Sequence, residues 1–568
     1  MDRGAIAQEL KVVYPPVTHE TTAKQIFLLG SAGLEGQVLV NGKAIARNRS
    51  GHFAPSFPLS LGSNRFVVEQ GGKRLAIEVK RLALPGAIGP GEQFAPSSLW
   101  PGSDLARLPG EALCPAVIAQ PNLTVTALVG DKKLPLLPQA SQALPENSAV
   151  LTGKAEQVAT VGGLYSGCLV ASAPGALAPP IYQIAGTQVT ATGKVTVLNP
   201  QNLEVVEVTA DAGVARTGPS TDFARLTPLP KGSRASMTGG EGEWLRLDYG
   251  AWIKRGETKT VVGAVPPRAI IRGVTSRVVG DWTEIVFPLS NPIPIAIEQT
   301  NDQFVLSLYN TTSQSDTLKL VDNPIVNFVN WKQVSSDRLD YRFTIRQQQW
   351  GYKLRYEGST LILSLKNPPA IVLSSLPLQG KTILLDPGHG GPEDSGSVGL
   401  NGYPEKTVAL TVSKLVRDRL VAKGATVVMT REGDIDLLPN DRAKMINQKE
   451  LTVSLSLHYN ALPDDGDAIK TKGMAMFWYH PQSHGLADFM QGFLTKKLGR
   501  SNYGVYWNNL AVTRPAVAPA ILMELGFMIN PDEFDWVRDP KEQVRLADAI
   551  AEGLMSWFEI AAPGGSRN

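Results

Sequence analysis

The chain has 568 residues, 43% hydrophobic and 19% charged, a globular composition that excludes a disordered or coiled-coil protein. A net charge of +3 over this length leaves no basic footprint for nucleic acid, and no apolar run reaches the ~18 residues that a membrane-spanning helix needs. The length allows roughly four domains. The opening stretch MDRGAIAQELKVVYPPV has no long apolar core, so no export signal is visible there. Two cysteines, Cys114 and Cys168, are either a disulfide pair or two buried thiols, a choice that geometry decides.

Residues 1–82 alternate short apolar runs with Asn-Gly, Gly-Ser and Gly-Gly turns, the pattern of a small antiparallel sandwich. The run VNGKAI…GHFAPSFPLSLGSNRFVV resembles bacterial immunoglobulin-like modules. Residues 83–200 continue in the same style, with strands expected at NLTVTALVG, AVLTGKAEQVAT and QVTATGKVTVL, and form a second Ig-like unit. Residues 203–258 carry Arg216 with Gly218-Pro219-Ser220, a Leu229-Pro230-Lys231-Gly232 turn, Trp244 and a final YGAWIK. This segment resembles bacterial SH3 modules, which commonly bind cell-wall peptides. Trp244 and Trp252 either pack in its core or line a groove, and core packing is the commoner use of such aromatics. Residues 265–370 hold strictly alternating strands, including WTEIVFPL, QFVLSLYN and TLILSLKN, and resemble the β domains that precede cell-envelope amidases and help to target them.

From Lys381 the pattern changes. Strands at KTILLDPG, ATVVMT, LTVSLSLHYN, GMAMFWY and APAILMELGF alternate with helices expected at 404–423, 439–449, 484–498 and 541–559. Val408, Val412, Leu415 and Leu420 make one apolar stripe on the first helix. The fold class is therefore multidomain, with all-β N-terminal modules and a C-terminal α/β domain (378–562) built on a twisted, mostly parallel sheet. Ligands of such sheets bind beyond the carboxyl ends of the strands.

Three strand exits carry chemistry: ILLDPGHGG delivers His389, VSLSLHYNA delivers His458, and AILMELGF delivers Glu524. Glu405 opens the helix after the first loop. His389, Glu405 and His458 match a catalytic zinc site with three protein ligands and a fourth position for water, and Glu524 is the candidate general base. Gly388, Gly390 and Gly391 let the loop turn tightly and leave no side chain in front of the metal. Asp386 is expected to be structural or to orient a ligand histidine. Arg442 and Asn460 either shape the site or serve core and surface. His480 and His484 stand four apart, but Pro481 argues against a helix joining them. PDDGDA (463–468) lacks the remaining positions of a calcium loop.

DPGHGG, GLNGYPEKTVAL, TREGD, SLHYNA and PAILMELGFMIN occur in the order found in the zinc-dependent N-acetylmuramoyl-L-alanine amidases, which residues from about 380 to 560 resemble. The resemblance implies that His389, Glu405 and His458 bind Zn2+ and that Glu524 is the catalytic acid/base. It implies cleavage of the amide between N-acetylmuramic acid and L-alanine. Two departures stand out: a more polar first loop, GGPEDSGSVG, and Tyr459 where small residues are common. A zinc peptidase or deacetylase is the alternative enzyme, and an inactive wall-binding protein the alternative outside enzymes. The expected substrate partner is peptidoglycan, with no nucleic acid, and an envelope or division protein is left open as recruiter. Because that substrate lies outside the cytoplasmic membrane, the expected location is the periplasm or cell envelope, with Met1 replacing a removed export signal. Between Tyr479 and Glu524 only one amphipathic helix is expected, which leaves the cleft open.

Overall fold

The structure, a computed structural model, describes residues 9–82, 88–89, 91–140, 163–369 and 376–561. The strand expected at 149–160 lies outside the described residues. In the first module the hairpin Gly62–Gln70 and Lys73–Arg81 turns on Gly71 and Gly72, both at positive φ, as a two-residue hairpin turn with both centres left-handed requires. Its alternation sends Phe66, Val68, Ile77 and Val79 into a core shared with Ile26 and Val38.

Next comes a six-stranded sheet running from Ala116–Ala119 to Thr187–Thr190. Cys114 and Cys168 are joined as a disulfide, with Cα atoms 4.1 Å apart. Strand Leu105–Arg107 pairs with Arg234–Glu241, so one eight-stranded sheet joins residues on both sides of position 200. Trp244 and Trp252 are buried in this region. Arg107 and Arg246 lie over the Trp252 ring, and Arg216 and Lys254 over Trp244. Both indoles are packing residues here. Residues 269–366 form a five-stranded and a four-stranded sheet around Phe287, Phe304, Leu306, Tyr341 and Phe343.

The C-terminal domain is built from β1 (Thr382–Pro387), α1 (Glu405–Ala422), β2 (Thr426–Met429), α2 (Pro439–Asn447), β3 (Val453–Asn460), β4 (Met474–Trp478), α3 (Pro481–Leu498), β5 (Asn502–Trp507), β6 (Ala520–Phe527), α4 (Pro531–Arg538) and α5 (Pro540–Ala561). The sheet order is β2-β1-β3-β6-β4-β5. All its pairs are parallel except β4 with β6. Val408, Val412, Val416 and Leu420 repeat every four residues on α1 and are buried, while Leu415 sits on the shoulder of that stripe.

Three elements differ from the sequence expectation. Helix α3 begins at Pro481, because a first-turn proline has no hydrogen bond to lose. Helix α4 starts after Asn530, whose side chain accepts from the amides of Asp532 and Glu533. Residues 502–507, which are absent from the strands expected above, form strand β5. Between Tyr479 and Glu524, α3 is the only α-helix, as the sequence suggested. Among the described residues, no helix is long and apolar enough to cross a membrane.

Two β modules pack on opposite edges of this sheet. The 269–366 region meets the edge where β3 and β6 begin. There Trp282 donates to Glu450 (2.9 Å) and the Tyr352 amide to the Ala516 carbonyl (2.7 Å). The first module meets the edge where β1, β3 and β6 end. Phe27, Leu29 and Ala54 share one core with Leu400, Tyr459 and Phe534. Around that core His19 approaches Asp464 (2.9 Å), while His52 (2.9 Å) and the Ser50 hydroxyl (2.6 Å) approach Asp535. Burying a large apolar side chain contributes about 1.5–3 kcal/mol, so this contact holds the first module firmly against the C-terminal domain.

Candidate functional site

The loop after β1 carries His389 in left-handed backbone, φ +56°. Glu405, first residue of α1, is buried, and the helix N-terminus favours its negative charge. His458 is near the end of β3. The three side chains converge. Glu405 Oε1 lies 3.3 Å from His389 Nε2 and 3.1 Å from His458 Nδ1. One donor atom from each residue lies within 4.8 Å of the other two, which makes this the group that can hold a metal ion among the described residues. Two imidazole nitrogens and a carboxylate oxygen are the donor set of a zinc site with an open position.

Electrostatics agree with the geometry. Burial alone would raise the Glu405 pKa, but hydrogen bonds with His389 and His458 outweigh it and hold the carboxyl well below the ordinary range. Burial opposes charge on His389, and the hydrogen bonds to Glu405 and Asp394 overcome it, so its pKa is raised. Glu524 stands in register with His458 on the adjacent parallel strand, so both side chains leave the same face of the sheet. The residue keeps partial exposure, yet its Oε2 is shielded and has no hydrogen-bond partner among the described residues. Burial, and then the charge on Glu405, push its pKa well above the carboxylate range. Glu524 lies within β6 rather than at its exit.

Asp386 does not contact the ring of either histidine. It is fully buried and takes hydrogen bonds from Thr430 (2.5 Å), Arg442 (2.6 Å) and Ser456 (2.6 Å). Its effect on the site runs through Arg442, which also donates to the His389 carbonyl at 2.7 Å. Arg431, in the TREGD stretch, donates to the carbonyls of Pro387 (3.0 Å) and Gly388 (2.7 Å). The two buried guanidiniums therefore gather three successive carbonyls of the loop. The carboxylate on the His389 ring is Asp394, 2.6 Å from Nδ1. Sequence reasoning passed over it; its signal was the polar loop GGPEDSGSVG. The Asn460 side chain accepts from the Ala461 amide (2.8 Å) and shapes the loop after β3.

The glycines serve packing more than access. A Cβ on Gly388 would stand 2.5 Å from the His458 ring. The Ile435 carbonyl and the Arg431 side chain fill the corresponding space at Gly390, and Asp436 fills it at Gly391. Asp464, in the PDDGDA loop, is engaged with the first module.

His480 and His484 do not form a second metal group. His480 Nε2 donates to the Arg514 carbonyl (2.8 Å), and His484 packs on Trp478. Burial pushes the His480 pKa down to about 4, against the opposing effect of that hydrogen bond. The folded chain keeps this ring neutral, whereas the unfolded chain protonates it near 6.5. Its contribution to stability is therefore complete above pH ~6.5 and is lost as pH falls toward about 4. The loss should be at most about 3 kcal/mol. Denaturant melts across this range should be flatter for His480→Gln, which can still donate to Arg514. An unchanged pH slope would show that the acid sensitivity lies elsewhere.

The family model described as N-acetylmuramoyl-L-alanine amidase (Amidase_3) matches residues 383–556. The chain is 36% identical over 206 residues to the germination-specific N-acetylmuramoyl-L-alanine amidase of Bacillus subtilis (strain 168), covering 32% of this chain and 82% of that protein. It is 36% identical over 184 residues to the probable cell wall amidase LytH of Staphylococcus aureus, covering 32% of this chain and 60% of that protein. Among solved structures, the N-acetylmuramoyl-L-alanine amidase from Clostridium difficile 630 aligns at 29% identity with a TM-score of 0.30, over 32% of this chain and 97% of that one.

Proposed function

From a chain that belongs to the N-acetylmuramoyl-L-alanine amidase family and acts as such an amidase on peptidoglycan, we infer a zinc hydrolase whose metal is held by His389, Glu405 and His458 and whose proton carrier is Glu524. One observation carries this reading: the His-Glu-His group and Glu524 meet on one edge of one sheet, with Glu524 beside His458. When bound, zinc would polarise the scissile carbonyl and lower the pKa of water toward ~7.

The residues divide the remaining work. Glu405 and the two imidazoles fix the donor geometry. Glu524 takes the proton of the attacking water and passes it to the departing L-alanine nitrogen. Its shielded position suits a group that must hold a proton between those two steps. The products are a glycan strand without its peptide and a free stem peptide.

The substrate places the enzyme outside the cytoplasmic membrane, in the cell envelope. The Cys114–Cys168 disulfide supports that placement, because such bonds persist in oxidising compartments. We read residues 1–82 and 83–200 as Ig-like modules, 203–258 as SH3-like, 265–370 as a targeting β domain and 378–562 as the catalytic domain. The alternating strands and turn residues support these assignments, with one sheet shared by the modules on either side of position 200.

Digestion of purified sacculi tests the reading. Intact stem peptides with a free L-alanine amino group are expected. Shortened peptides or released acetate would instead identify a peptidase or a deacetylase.

A further inference from the structure

The more polar first loop has a structural role that the ligand set does not explain. Asp394 Oδ1 lies 2.6 Å from His389 Nδ1, and the same oxygen accepts from the Gly396 amide at 3.2 Å. The Gly390 amide donates to the Asp394 carbonyl (2.9 Å), which closes the loop on itself. Three residues after Asp394, the Ser397 amide donates to Glu405 Oε2 (2.8 Å), while the Glu405 amide donates back to the Ser397 carbonyl (2.8 Å). The Ser397 hydroxyl donates to the carbonyl of Tyr459, the neighbour of His458, at 3.0 Å. Thus four consecutive residues, 394–397, touch or adjoin all three ligand positions.

We propose that this arch, through Asp394 and Ser397, is the positioning device of the metal centre. Asp394 and Ser397 act through the ligands, by their contacts to His389 and Glu405. With Nδ1 donating to Asp394, the His389 ring presents Nε2 toward Glu405 and the metal. With Oε2 occupied by the Ser397 amide, Glu405 presents Oε1 between the two histidines. Gly396 permits both contacts. It sits at φ +65°, and a Cβ there would lie 2.5 Å from the His389 ring and 2.6 Å from Glu405 Oε2. Partners that orient metal ligands this way typically change metal affinity by ~10–100-fold. The Asp394 side chain is half exposed, so its replacement leaves the core of the domain intact.

The inference rests on the zinc reading, and one experiment separates the two. Zinc dissociation constants are measured for the full chain, Asp394→Ala, Asp394→Asn and Ser397→Ala by competition with a chromogenic chelator. Thermal unfolding of the same metal-free proteins is followed in parallel. Asp394→Ala should bind zinc ~10–100-fold more weakly while its metal-free melting point stays that of the parent. Asp394→Asn, which keeps shape and a neutral acceptor, should recover part of the affinity. Ser397→Ala keeps the amide contact and should lose less. If Asp394→Ala also melts earlier without metal, the affinity of the Asn variant decides. Equal zinc affinity in the parent and both Asp394 variants would overturn the positioning role alone. A parent chain that binds no zinc would overturn the metal reading and this inference together.

Discussion

Glu524→Gln should cut turnover on soluble muropeptides by at least ~10²–10⁴-fold while zinc stays bound, the range expected when a general acid–base group is removed. Glutamine has the shape of glutamate but cannot accept the water proton or return it to the leaving nitrogen. The ligand triad does not include Glu524, so metal content should hold at the parent level. Folding should hold as well, since Oε2 has no hydrogen-bond partner to lose among the described residues. Steady-state rates and elemental analysis on the same preparation make the test. Near-normal turnover with zinc in place would make Glu524 a packing residue.

His458→Ala should lose both metal and activity. It removes one donor of three, and the remaining pair cannot complete the tetrahedral set. It also takes a hydrogen bond from Glu405, a carboxylate that is almost fully buried. The amides of Ser397 and Tyr459 stay on Glu405, so the domain should fold, with a stability loss of about 1–3 kcal/mol. Full zinc occupancy in this variant would falsify the ligand assignment.

The site was legible in the sequence where chemistry and backbone coincide. His389, His458 and Glu524 lie in or just after strands of one sheet, and Glu405 opens a helix. Period and punctuation expose such positions, and the resemblance to the amidase motifs singles them out as ligands and base. The contacts between those residues were not legible. Asp394 reaches the His389 ring because the loop folds back through Gly390, a fact of three dimensions rather than of spacing. Asp386 has the spacing of an orienting carboxylate but points to Thr430, Arg442 and Ser456. Pro481 reads as a helix breaker until its place in the first turn is known. Strand β5 carries a mixed, half-exposed face as the outermost strand of its sheet, so its alternation is weak. The disulfide depended on the approach of two Cα atoms that lie far apart in sequence.

The core shared by the first module and the catalytic domain has a consequence for the order of assembly. Phe27, Leu29 and Ala54 are made well before their partners Leu400, Tyr459 and Phe534, which lie far along the chain. Until those partners exist, this face lacks the cover that they give it. The closing contact spans nearly the whole polypeptide, and such long-range contacts form late because the loop between them must be closed first. The segments it braces, the loops around Leu400 and Asp464 and helix α4 at Asp535, stand on the edge of the sheet where His389, Glu405 and His458 meet. Docking of the first module therefore adds a brace to the walls of the cleft, one that becomes available only once the C-terminal domain has been made.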